Sequence, residues 1–129
     1  MYCDLSDMPH ETTARLAEYA HNNVNDALRT IAVVYEGDCE VLYLRDDLKG
    51  EYTAAEYKSV VDSFRVVPEL TSDMTSEAPL GSKQCLIHYH EKAFVFQFPH
   101  EACHSLLLSV EPTVGSRLQS FINGCQQRL

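Results

Sequence analysis

Ala93-Phe94-Val95-Phe96-Gln97-Phe98 sets a phenyl ring at every second position. Side chains of an extended chain alternate between faces, so this stretch predicts a strand whose rings share one side of a sheet and must be covered by another element. Upstream, residues 84–89 read as a strand joined to it through His90-Glu91-Lys92; downstream, residues 104–110 read as a third strand, reached through residues 99–103. The three make an antiparallel meander. Its cover is predicted at the end of the sequence, where Leu118, Phe121, Ile122, Cys125 and Leu129 recur at helical spacing after Pro112 and Thr113, which places Cys125 in the core.

The first half supplies the remaining elements. Over residues 11–29, Leu16, Tyr19, Ala20, Val24, Ala27 and Leu28 recur every three or four positions, the pattern of an amphipathic helix. Residues 30–35 are β-branched and apolar without alternation, so they predict a strand buried on both sides, with helices against both faces of the sheet. Glu36-Gly37-Asp38 turns that strand into a partner at residues 41–44. Thr53 stands three residues before Glu56, the spacing of a capping box, and opens a second helix with Tyr57, Val60, Val61 and Phe64 on one face. Residues 68–82 gather Thr, Ser and Asp with Pro79 and Gly81 and show no period, which predicts a long loop that is mobile or serves as a lid. The expected fold is α+β: one domain over residues 1–129, in the order α-β-β-α-β-β-β-α, with a five-stranded antiparallel sheet flanked by three helices.

Composition narrows the class of partner. The 129 residues are 45% hydrophobic, enough for one core without a disulfide or metal. Asp and Glu number 19 against 10 Lys and Arg, and a net charge of −9 repels phosphate backbones and anionic headgroups, so neither nucleic acid nor membrane is an expected partner. The acids are dispersed, as in a solvated surface suited to high salt. Five cysteines without a Cys-x-x-Cys pair predict reduced thiols. Residues 1–9 carry Asp4 and Asp7 instead of a basic-then-apolar leader, and no run approaches the ~20 apolar residues of a membrane span, so a cytoplasmic location is expected.

The element order resembles that of roadblock (dynein light chain) domains, which are profilin-like in shape, with a PAS-like arrangement as the alternative. The roadblock resemblance implies a homodimer built by pairing edge strands with the second helix alongside, and makes Gln84, Leu86, His88 and Tyr57 the candidate interface residues. Further, Val41-Leu42-Tyr43-Leu44-Arg45-Asp46-Asp47-Leu48, Phe98-Pro99, Leu108-Ser109-Val110-Glu111-Pro112 and the stretch from Leu118 to Phe121 resemble short haloarchaeal proteins of unknown function. The chain is less acidic than that group and richer in Cys and His, and the resemblance implies no catalytic residue.

Three clusters could carry chemistry. His88 and His90 project from one strand face, and with His104 they form a candidate metal set; set against this, Cys85-x-x-His88-x-His90 is not a zinc spacing, and histidines at the surface or under a helix are commoner. Cys103 beside His104 could be a reactive thiol, although neighbours in a strand point apart. Arg45-Asp46-Asp47 could hold a cation, but Asp side chains ending a strand more often bond the local backbone in a turn. No Gly-rich phosphate loop, Gly-x-Ser-x-Gly elbow or His-Glu-x-x-His is present, so no catalytic residue and no cofactor is expected. The leading expectation is a small protein-interaction or regulatory module that self-associates. The alternative is a ligand or metal sensor using the His and Cys residues of the late strands.

Overall fold

The computed structural model describes residues 3–66, 79–81 and 83–129. In chain order these form α1 (Cys3–Val24), β1 (Leu28–Val34), β2 (Cys39–Leu44), α2 (Asp46–Glu51), α3 (Ala54–Asp62), β3 (Leu86–His90), β4 (Ala93–His100), β5 (Cys103–Val110) and α4 (Ser116–Gln126). Short 3-10 turns lie at Asn25–Ala27, Ser63–Val66 and Pro112–Gly115. The strands make one antiparallel sheet in the order β2-β1-β5-β4-β3. This is the expected α+β class. The long loop expected at residues 68–82 lies outside the described residues apart from 79–81.

Several boundaries differ from expectation, α1 for one beginning at Cys3 instead of residue 11, and two of the changes have clear local reasons. The first helix was expected to run to residue 29, but Asn25 adopts φ 48, and this left-handed residue ends α1 at Val24, so that Leu28 begins β1. Arg45-Asp46-Asp47 was expected to be a turn and instead starts α2: both Asp side chains sit in its first turn, where the helix dipole favours anions. Arg45 clamps that turn through Nε to Asp47 Oδ1 at 2.6 Å and Nη2 to Asp47 Oδ2 at 3.1 Å. It also reaches Glu111 at 3.0 Å and the Asp26 carbonyl at 2.6 Å. The guanidinium hydrogen bonds hold the Asp47 carboxyl below its ordinary range.

The rings of Phe94, Phe96 and Phe98 share one face, as the period-two pattern predicted, and Phe94 is 1% exposed. Phe94 stacks on Tyr89 at 4.6 Å and packs with Leu28, Ile31 and Val110. The cover comes from two helices: α1 contributes Ala17, Ala20 and Val24, and α4 contributes Ile122. Just before α4, a methyl group at Gly115 would come within 3.2 Å of the Phe94 ring, a tight contact that the ring would have to relieve by a shift of a few tenths of an ångström. The predicted apolar stripe of α4 is only partly buried. Cys125, expected in the core, is exposed along with Phe121 and Leu129. Ile122 faces inward, and Cys125, three residues on, falls about 60° round the helix from it, on the flank of Leu118 and Phe121.

On the opposite face α3 packs Val61 against Ala32, Val34, Cys39 and Leu107. Its capping box forms as predicted, with Glu56 N donating to Thr53 Oγ1 at 3.0 Å and Thr53 N donating to Glu56 Oε1 at 2.8 Å. Arg65 then ties the end of this helical region to the β1–β2 hairpin, donating to the carbonyls of Tyr35 and Asp38. With cover on both sides, Ile31, Ala32, Val33 and Val34 are all 0% exposed, which accounts for their lack of alternation. No helix among the described residues is long and apolar enough to cross a membrane.

Candidate functional site

Cross-strand partners share a face, so the sheet can be read row by row. Among the described residues β3 is an edge strand, paired with β4 alone. Leu86 and His88 lie on it, and Gln84 just precedes it. Tyr57, grouped with them from the resemblance, is elsewhere: α3 packs on β1 and β2, and the Tyr57 hydroxyl meets Thr30 Oγ1 at 2.5 Å. The helix that reaches β3 is α4, whose Gln119 Nε2 donates to the Tyr89 hydroxyl at 3.1 Å.

This region exposes apolar surface. Ile87 pairs with Phe96 and so belongs to the aromatic face, yet it is 51% exposed, while Phe121 on α4 is 69% exposed. Leu118, Phe121 and Cys125 follow one another at i, i+3 and i+7 along the exposed flank of α4. Residues 112–129 contain Arg117 and Arg128 but no Asp or Glu, in a chain whose net charge is −9.

The histidines occupy the other face. His88 and His90 flank Phe64, with ring centroids at 4.9 Å and 6.5 Å. His88 Nε2 lies 2.9 Å from Gln97 Oε1; Gln97 Nε2 donates to the Phe64 carbonyl at 3.0 Å and to Ser105 Oγ at 3.1 Å; and Ser105 Oγ lies 3.0 Å from His104 Nδ1. Two of the predicted histidines are thus joined across β3, β4 and β5 by a relay through Gln97 and Ser105, both 0% exposed. The carbonyl of Phe64 can only accept, which orients the Gln97 amide and makes His88 Nε2 the donor. His104 Nε2 is buried without a partner. His90 lies outside the relay, and among the described residues no three His, Cys, Asp or Glu side chains gather where they could hold a metal ion.

Cys103 packs with Val33, Leu106, Tyr35 and Phe98, and burial, reinforced by Glu36, pushes its thiol up to about 11. That environment suppresses the thiolate a nucleophile needs. The sequence reading passed over Gln97 and Ser105. The available signal was a polar residue between Phe96 and Phe98 and another between His104 and Leu106, at positions a two-sided cover would bury.

A family model described as a domain of unknown function (DUF7522) matches residues 14–129. No curated protein and no solved structure matches the chain.

Proposed function

The chain belongs to this family, and from the geometry of its edge strand and last helix we propose that it is a small cytoplasmic protein-interaction module that pairs with a second copy of itself. The observation that carries this reading is an edge strand bearing the exposed Ile87, on the sheet face over which α4 exposes Leu118 and Phe121. Antiparallel pairing of β3 with β3 of a second copy, centred near His88, would continue the sheet and satisfy its outer backbone groups. Because residues 112–129 contain no Asp or Glu, two chains of charge −9 can meet here with reduced repulsion. A roadblock/profilin-like architecture is supported by the element order and by helices on both sheet faces, with α4 in place of the second helix beside the edge.

Repulsion between acidic copies is screened within about 3 Å at 1 M salt against about 10 Å at 0.1 M, so association should strengthen with salt. Light scattering in both conditions should give twice the 14.6 kDa chain mass, more completely in molar salt. Ile87→Glu and Phe121→Glu should each return the mass to that of one chain while leaving circular dichroism unchanged. A wild-type chain that stays monomeric at every concentration and salt overturns the reading.

A further inference from the structure

Among the described residues the sheet beneath α3 is not fully covered. Because α3 sits over β1 and β2, a cavity of about 310 Å³ remains beside it, between Tyr57, Val60 and Phe64 on one side and Thr30, Val95 and Leu107 on the other. Its two ends differ in chemistry. β1 and β4 both run antiparallel to β5, so the starts of β1 and β4 lie together at the end of β5. That end carries Arg29, His90, Lys92 and Ser109, whereas Val61, Phe64 and Leu107 line the remainder. Although the chain holds 19 Asp and Glu residues, none of the lining residues among the described ones is acidic.

Two observations aim this end at an outside acceptor. The β1–β5 register slips at Arg29: Leu28 faces Val110 and Thr30 faces Ser109, leaving Arg29 without a partner on β5. A slip of this kind redirects a side chain, and Arg29 lines the cavity. Arg29 Nε and Ser109 Oγ are both buried without a hydrogen-bond partner, and Ser109 is only 6% exposed. Buried donors left unpaired are rare in folded proteins and point to a group supplied from outside. Among the described residues neither Arg29 nor Lys92 makes an ion pair.

We propose that this cavity binds a small organic carboxylate with an aromatic or branched aliphatic body, its carboxylate held by Arg29, Lys92 and the Ser109 hydroxyl and its apolar body against Val61, Phe64 and Leu107. A carboxylate only accepts hydrogen bonds, which matches a guanidinium N–H, an ammonium and a hydroxyl that are all free to donate. The volume is at the small end of ligand pockets and suits a ligand of about one ring or branched chain, and the apolar walls would be wasted on inorganic phosphate.

The test is titration of the full chain with phenylacetate, its neutral isostere phenylacetamide and inorganic phosphate, followed by backbone amide NMR. Phenylacetate should saturate, shifting the amides of Val95, Leu107 and Ser109 most, and bind about tenfold more tightly than the amide. Phosphate should leave those signals in place. Arg29→Gln should erase the preference for the acid over the amide, and Ser109→Ala should weaken the acid by a smaller factor. Should Arg29→Gln fail to fold, Lys92→Gln, at an exposed position, carries the same readout. Equal binding of acid and amide, shifts confined to residues outside the cavity, or no saturable response to phenylacetate would each overturn the proposal.

Discussion

The two faces of the sheet are built differently. Under α1 and α4, Leu28, Ile31, Phe94 and Val110 close into an apolar layer, whereas the buried polar side chains among the described residues, Thr30, Gln97, Ser105 and Ser109, all lie on the face that α3 covers. Burying a polar group costs free energy unless it is hydrogen-bonded. Thr30, Gln97 and Ser105 meet that condition within the chain and lock three strands in register, while Ser109 does not and marks the cavity. The aromatic face therefore supplies cohesion, and the polar face supplies specificity.

Substitutions can break or sharpen this contrast. The largest effect is expected for Phe94→Ala, which opens a cavity at a 1% exposed position and should lower stability in urea by about 3–5 kcal/mol. A loss below about 1 kcal/mol would remove the aromatic face from its leading role. Gln97→Ala should cost about 1–3 kcal/mol, because the Phe64 carbonyl and Ser105 hydroxyl lose their donor, and the His88 Nε2 proton should become exchangeable by NMR. If the loss is nil, the relay is incidental to folding. Thr53→Ala removes the capping box of α3 and should cost about 1 kcal/mol without altering the aromatic face, which near-ultraviolet circular dichroism can follow. Phe121→Ala, on the exposed flank of α4, should shift stability by less than about 0.5 kcal/mol while weakening self-association. The smallest change is chemical: iodoacetamide at neutral pH should modify exposed Cys125 well before Cys103, whose thiol burial pushes up to about 11. Equal rates would mean that the site around Cys103 opens readily.

Much of the fold was legible because its signals are local. The period-two rings of Phe94, Phe96 and Phe98, the non-alternating run from Ile31 to Val34 and the Thr53–Glu56 spacing each state a secondary structure and a burial requirement within a few residues. Less could be read at element ends, where the dihedral of Asn25 and the salt-bridge clamp of Arg45 on Asp47 and Glu111 decided matters. The candidate sites were legible only in part. His88 and His104 stood out by residue type, but Gln97 and Ser105, which connect them, read as ordinary strand positions.

What the residues alone determine is the number of strands, their amphipathic sides and the need for helices on both, since periodicity is a property of the local chain. Which helix covers how much of each face is another matter. That α1 shares the aromatic roof with Ile122, that the Leu118–Phe121 flank is left outside, and that α3 sits over β1 and β2 so that Arg29 and Ser109 face a cavity, all depend on how whole elements compete for one sheet. Burial is a sum over neighbours distant in sequence, and such a sum exists only once the chain has folded.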